Sequence, residues 1–261
     1  MKNRTLLFGE GLFETFRVYQ GGRLAFVEDH LDRMAEGCRF FSFPFSRQKA
    51  LEALTQALKK IPQDSETRLR LNLISHGDHG AEETSYHTAW EPLKKVRIEQ
   101  GQGVRLGFAP FQRFSQSPLL RFKTTSYLEN IYVLTWARKG GFFDALFINE
   151  RGAITEGSIT NVFFLNNDKM VTPPTDAGLL PGVTRKQILE VARSIGIVVT
   201  ESTVTPEALN QFDGAFVTNS VIEILPVTAV GDVTYGTPKI IDTLREGYQK
   251  RLHASLFPSG A

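Results

Sequence analysis

The sequence predicts an α+β protein in two parts, and two observations carry that reading. Strand-like alternation and helical apolar spacing are mixed in both halves of the chain. Between the halves, Ala109 to Pro118 (APFQRFSQSP) has no periodicity and carries a proline near each end. Residues 111–118 are therefore read as a linker between a small N-terminal domain, 1–110, and a larger C-terminal domain, 119–261. A chain of 261 residues suffices for one large domain or two small ones.

The elements follow in order. Residues 5–19 (TLLFGEGLFETFRVY) read as strand, glycine-rich turn and strand, and Gly21-Gly22 turns the chain into RLAFV. Glu28 to Phe40 has helical spacing, with Leu31, Met34 and Cys38 on one face. Ser46 caps a second helix with an apolar stripe of Leu51, Leu54 and Leu58, and Pro62 ends it. Thr67 to Ser75 (TRLRLNLIS) alternates as a half-buried strand. Gly77 to Tyr86 reads as a polar loop, and Val96 to Phe108 as one or two more strands. After the linker come a strand, Leu119 to Phe122, and a helix to about Lys139. A capping box at Ser126-x-x-Glu129 opens that helix and Gly140-Gly141 closes it. Phe143 to Asn149 and Ile159 to Leu165 are strands, and Asn166-Asn167-Asp168 is a hairpin into Lys169 to Thr172. Thr184-x-x-Gln187 is a second capping box, for a helix through Ile195. Strands near Val198 and Phe216, a short helix from Pro206, a strand over 224–230 and a helix from Ile240 complete the chain.

The composition, 41% hydrophobic and 22% charged, is that of a globular protein with a real core. The 30 Lys+Arg are scattered among 28 Asp+Glu for a net charge of +2, so no basic run offers a nucleic-acid groove or a membrane surface. Cys38 is the single cysteine, which excludes an intrachain disulfide and any cysteine metal cluster. No apolar stretch reaches membrane-spanning length, and MKNRTLLFGEG lacks a signal-peptide core. A cytoplasmic location is the default.

Three stretches carry candidate chemistry. Lys123, in SPLLRFKTTSYLEN, lies between an apolar strand and a capped helix; that setting disfavours the ammonium and suits Schiff-base chemistry. By residue type alone it reads as a solvated lysine; its position is what raises the other reading. Glu156, in AITEGSITNVFF, is either a turn glutamate facing water or, in a cleft, a carboxylate that keeps a ring nitrogen of an electron-sink cofactor protonated. Asn161 holds that turn or satisfies a core position. Pro181-Gly182-Val183-Thr184 precedes a helix, whose first N–H groups either bind phosphate without special side chains or, as at many helix starts, bind nothing. Thr218-Asn219-Ser220, at the end of FVTNS, closes the same pocket or is an ordinary polar turn.

Order and spacing add what single motifs lack. The succession GEGLFETFRVY, EDHLDRM, KTTSYLEN, NERGAITEGSITNVF, GLLPGVTR and FVTNS resembles the class IV pyridoxal-phosphate enzymes of fold type IV, over about Leu7 to Val230. That family includes branched-chain and D-amino-acid aminotransferases and 4-amino-4-deoxychorismate lyase. The resemblance implies a small α/β domain, a larger pseudo-barrel domain, and a homodimer with pyridoxal 5'-phosphate as cofactor. Lys123 then forms the Schiff base and moves the substrate proton, and Glu156 pairs with the pyridine nitrogen. Arg33, in His30-Leu31-Asp32-Arg33-Met34, contacts the phosphate, with Val183, Thr184, Thr218 and Asn219 completing the cup. Tyr127 lies near the cofactor oxygen.

The sequence departs from the family in two places. Glu10 stands where the family has aspartate, in a shortened N-terminal segment. The loop SHGDHGAEETSYH contains no arginine for a substrate carboxylate; His76, His79, Arg68 and Arg70 are the candidate substitutes, and Arg68 and Arg70 read equally as exposed strand arginines. The implied activity is transamination between an amino acid and a 2-keto acid. The alternative is aminodeoxychorismate lyase, releasing pyruvate and giving 4-aminobenzoate; a remote alternative is a binding protein without catalysis.

Overall fold

A computed structural model describes residues 1–93, 103–167 and 169–257. The chain forms two compact units. The first comprises residues 1–93, 122–127 and 252–257, and the second the described residues of 97–121 and 128–251.

The first unit contains α1 (Arg4–Phe8), β1 (Gly11–Tyr19), β2 (Arg23–Leu24), α2 (Val27–Phe41), α3 (Arg47–Leu58), β3 (Thr67–His76) and β4 (Glu83–Pro92). Its four strands form an antiparallel sheet in the order β2-β1-β3-β4. The alternation of TRLRLNLIS decides which face is covered. Leu69, Leu71 and Leu73 face Leu12, Phe16 and Val18 of β1, Leu31, Met34 and Cys38 of α2, and Leu54 and Leu58 of α3 in one core. Each such buried side chain contributes about 1.5–3 kcal/mol. A one-residue slip of β3 would turn Arg68, Arg70 and Asn72 into that core, so the register is strongly specified. Ser46 caps α3 as the sequence predicts, its hydroxyl accepting from Lys49 N.

Two expectations for this unit are corrected. Residues 4–8 are helical, because the Asn3 side chain caps them and Gly9, at φ 68°, closes the turn. The loop after β3 ends at Glu82, and Tyr86 lies in β4 opposite Leu73. The side chains of β4 are half-buried or exposed, so its sequence shows no alternation. Residues 122–127 run beside β1: Phe13 N donates to Lys123 O at 2.8 Å and Thr125 N to Gly11 O at 2.9 Å.

The second unit contains β5 (Val104–Arg113), α4 (Leu128–Lys139), β6 (Asp144–Asn149), β7 (Ile154–Gly157), β8 (Asn161–Asn166), β9 (Lys169–Thr172), α5 (Val183–Ser194), β10 (Val198–Glu201), β11 (Gly214–Asn219), β12 (Glu223–Val230) and β13 (Val233–Thr234); α6 (Ile240–Ala254) follows. The curled sheet has the order β10-β9-β8-β11-β12-β5-β6-β7, with β13 on β12. Its central strands are apolar on both faces, and Val162, Phe163, Phe164 and Leu165 of β8 are all fully buried.

The physical reasons for the differences here are local. Phe111 to Arg113, expected in the linker, extend β5, because Gln112 and Arg113 pair with Ile148 and Asn149 of β6. Residues 118–121 form a 3-10 turn rather than a strand, opened by Pro118, whose missing N–H costs nothing in a first turn. Neither capping box forms. The helix α4 starts at Leu128, the Ser126 hydroxyl donates to Gly9 O, and Glu129 accepts from Arg113. The helix α5 is capped by Gly182 without a side chain, and Thr184 lies in its first turn. The expected strand residues 96–102 and the hairpin residue Asp168 lie outside the described residues. Among the described residues, no helix is long and apolar enough to cross a membrane.

Candidate active site

In the first unit, the backbone bonds from β1 fix where Lys123 emerges. Its Nζ lies 4.5 Å from the centroid of Phe13 and 5.3 Å from that of Tyr127, whose ring meets Phe13 edge-on at 5.2 Å. The amine is thus walled by aromatic rings; with α4 starting at Leu128, the helix start expected beside it lies further along the chain. On the sheet face opposite the core, Arg70 lays its guanidinium over the same Phe13 ring, Cζ 3.5 Å from the centroid. Burial pushes the Arg70 guanidinium below its ordinary value, with the Tyr127 oxygen opposing that shift. Its Nε donates to Asn72 Oδ1 at 2.7 Å. Its neighbours on this face, Arg17 and Arg68, pair with Glu66 and Glu91. Arg70 has no carboxylate partner among the described residues. A half-buried cation of this kind, on a ring that Lys123 Nζ also approaches, attracts an anionic group.

Arg33 belongs to a buried ionic group in the same unit. Glu14 of β1 points toward the helices, in register with Leu12 and Phe16. Its Oε1 accepts from Arg33 Nε at 2.9 Å, and its Oε2 from Arg33 Nη2 at 2.5 Å and His30 Nδ1 at 2.7 Å. Burial works to raise the Glu14 pKa, but the Arg33 and His30 partners win and hold it at about 2. Burial pushes His30 down, so Arg33 is the cation that keeps Glu14 ionised. Glu14 in turn fixes the plane of the Arg33 fork.

In the second unit, Glu156 stands on the short strand β7 rather than in a turn, and only 6% of it is exposed. Its side chain accepts from Arg113 Nη1 at 3.1 Å, Asn161 Nδ2 at 3.3 Å and Leu180 N at 3.1 Å. The turn after it is stapled by Asp144 at the start of β6, which accepts from Ser158 N, Ser158 Oγ, Ile159 N and Thr160 Oγ1. Burial raises the Asp144 pKa and these hydrogen bonds oppose it. Gly157 is required there, because a Cβ would stand 2.4 Å from Asp144 Oδ2.

Asn161 connects Glu156 to the start of α5. Its Nδ2 also donates to Leu180 O at 3.0 Å, and it sits opposite Thr218 in the β8–β11 ladder. Gly182 caps α5, leaving the N–H groups of the first turn, Val183 and Thr184 included, without a side-chain cap. The Thr218 hydroxyl is buried and has no hydrogen-bond partner among the described residues. An orphaned hydroxyl near an uncapped helix start suits a phosphate, and a buried carboxylate suits a protonated ring nitrogen. Pyridoxal phosphate therefore fits the residues present.

Of the residues singled out in the sequence, the first unit brings together Lys123, Tyr127 and Arg70. Arg33 is held by Glu14. The second unit joins Glu156 and Asn161 to the α5 start, with Thr218 in register beside them. Three others do different work. Arg68 is exposed and pairs with Glu91, and His79 is exposed in the loop, its N–H held by Glu82. Asn219 spends its side chain on Ile159 O and on the N–H groups of Val221 and Ile222. Sequence reasoning missed Glu14, Arg113 and Asp144. A charge in the apolar register of GLFETF, and another heading the apolar run DALFIN, were the available signals for Glu14 and Asp144.

Fold and side chains define a pyridoxal-phosphate type of enzyme scaffold, and comparison with known proteins gives the family. The model of the amino-transferase class IV family matches residues 11–230, and the chain belongs to that family. It is 33% identical to aminodeoxychorismate lyase of Bacillus subtilis (strain 168) over 88% of this chain and 81% of that protein. It is 27% identical to D-alanine aminotransferase of Bacillus licheniformis over 91% of this chain and 84% of that one. Among solved structures, the PLP-bound form of a hypothetical aminotransferase from Mycobacterium tuberculosis superposes with a TM-score of 0.83 at 23% identity. That match covers 97% of this chain and 92% of the other, and shows the fold, fold type IV. The protein is thus an enzyme of a pyridoxal-phosphate-dependent family.

Proposed function

We propose that this enzyme binds pyridoxal 5'-phosphate through Lys123 and transfers the amino group of an amino acid to a 2-keto acid. Bound there, the cofactor supplies the electron sink that stabilises negative charge at the substrate α-carbon. Lys123 would hold the cofactor through its side-chain amine, and that amine would carry the proton at the substrate α-carbon. Glu156 accepts from the ring nitrogen, with Asn161 holding the carboxylate in place. Val183 and Thr184 N–H groups, the Thr218 hydroxyl and Arg33 hold the phosphate, and Tyr127 packs beside the ring oxygen. Arg70 takes a substrate carboxylate, in place of the arginine that the 77–82 loop lacks. The observation that carries this reading is the grouping of Lys123, Phe13, Tyr127 and Arg70, which no carboxylate meets among the described residues.

A second reading, aminodeoxychorismate lyase, is favoured by one observation: the 33% identity to the B. subtilis lyase against 27% to the D-alanine aminotransferase. The two reactions use the same lysine and differ in what leaves. Purified protein with added cofactor is expected to show a visible band that borohydride abolishes, with the adduct on Lys123. Lys123→Ala is expected to fold normally and lose the band and turnover. A colourless wild type, or a Lys123→Ala variant of near-normal activity, refutes the assignment. Keto-acid formation from an amino-acid panel supports transamination, whereas pyruvate and 4-aminobenzoate from aminodeoxychorismate, without an added acceptor, replace it with the lyase.

The same proposal includes a cytoplasmic homodimer. The support for the dimer is the outward face of α4, where Leu128, Ile131, Tyr132 and Trp136 are exposed at helical spacing. Light scattering at twice the chain mass is the expected result.

A further inference from the structure

Arg113 is a buried guanidinium that the steps above do not use. Its side chain is 3% exposed, and its Cζ lies 3.4 Å from the centroid of Phe147. Each nitrogen has its own partner: Nη1 donates to Glu156 Oε1 at 3.1 Å, Nε to Glu129 Oε1 at 2.7 Å and Nη2 to Asn130 Oδ1 at 3.2 Å. Asn130 donates onward to Ser158 O at 2.7 Å, in the turn that Asp144 staples. The fork is therefore locked on three sides, and it meets Glu156 with a fixed charge. The carboxylate of Glu129 is 46% exposed, so its charge is screened by solvent, whereas that of Glu156 is 8% exposed.

We infer that Arg113 is a positioning residue that decides where the proton shared between Glu156 and a ring nitrogen rests. The inference builds on the proposed pairing of Glu156 with that nitrogen. In a dry site, a carboxyl and a pyridine left to themselves favour the neutral pair, with the proton on oxygen, because two separated charges are costly there. A cation held against the carboxylate reverses that preference, since it stabilises the anion and leaves the proton on nitrogen. Arg113 supplies this cation, and Phe147 and Asn130 keep it from turning away. The electron sink then has its full positive charge, although Arg113 meets neither substrate nor the reacting carbon.

The test uses the holoenzyme loaded with pyridoxal phosphate labelled with 15N in the ring. In the wild type the nitrogen resonance is expected at the pyridinium position. In Arg113→Met, which keeps a side chain over Phe147, it is expected to move toward neutral pyridine, and in Arg113→Lys, which keeps the charge, to stay. In Arg113→Met, kcat is expected to fall about 100-fold, in the range of a lost proton-transfer group, with KM little changed. Glu156→Gln separates this inference from the reading beneath it. If Glu156→Gln leaves the resonance unmoved, the pairing of Glu156 with the ring nitrogen fails. If Glu156→Gln moves it and Arg113→Met does not, the role of Arg113 alone is overturned. Should Arg113→Met fail to fold, an Arg113→Lys resonance at the neutral position overturns it equally.

Discussion

The side-chain oxygen of Asn161 lies 2.1 Å from where a Cβ on Gly182 would stand. Asn161 has no room to yield, because its Nδ2 is tied to Glu156 and to Leu180 O. Gly182 precedes the first turn of α5, which has no side-chain cap, so one residue keeps the α5 start and the Glu156 support in mutual register. Gly182→Ala is expected to force them apart at an overpacking cost of about 1–3 kcal/mol. By titration of the cofactor-free protein, affinity for pyridoxal phosphate should fall roughly 10- to 100-fold. An unchanged affinity would show that the α5 start does not bind the phosphate.

The buried Glu14–Arg33 pair predicts a specific acid sensitivity. The Glu14 pKa is held at about 2 in the folded protein, by Arg33 and His30 against burial, compared with about 4.3 unfolded. The folded pKa is the lower one. The stability it confers, about 3 kcal/mol, is therefore present in full above the unfolded value and drains away as pH falls from about 5 to about 2. Glu14→Gln removes this contribution and leaves the Arg33 charge buried without its counter-charge. Urea unfolding should show the variant less stable by about 3 kcal/mol at pH 7, with the gap narrowing to about 1 kcal/mol or less near pH 2.5. A gap that stays constant across this range would mean that Glu14 stabilises by packing alone.

Where a pattern follows from local chemistry, the sequence shows it. The Ser46 cap and the Leu54 and Leu58 stripe of α3 are set by a 3.6-residue period, and the Leu69, Leu71 and Leu73 face of β3 by a period of two. The strand β4 stays hidden because it is half-solvated and has no period to read. Residues 4–8 read as a strand from their apolar run, yet Asn3 and Gly9 supply both ends of a helix. The site divides in the same way. Lys123, Glu156 and Gly182 each have a bland reading when taken singly, and only the order and spacing of their motifs along the chain makes them candidates. Arg113 is invisible, because an arginine in an aperiodic segment reads as solvated until the β5–β6 ladder carries it inward. Its partners, Glu129, Asn130 and Glu156, converge only in three dimensions.

Arg68 and Arg70 share one face of β3, two residues apart, and the structure separates their roles. Arg68 is exposed and its guanidinium is taken by Glu91. Arg70 lies over Phe13, on the ring that also faces Lys123, and no carboxylate meets it among the described residues. A substrate carboxylate held at Arg70 would make charge-assisted bonds in a half-buried setting, where losing one partner costs about 2–5 kcal/mol. The contact exists before and during reaction alike, so its loss should appear in KM more than in kcat. Arg70→Met, which retains the stem over Phe13, is therefore expected to raise KM for the amino substrate by at least about 30-fold. Arg68→Met should leave KM within about twofold, as for an exposed ion pair. Steady-state kinetics on both variants, with the cofactor saturating, make the comparison. Equal effects at the two positions, or a loss confined to kcat at Arg70, would remove Arg70 from the substrate site.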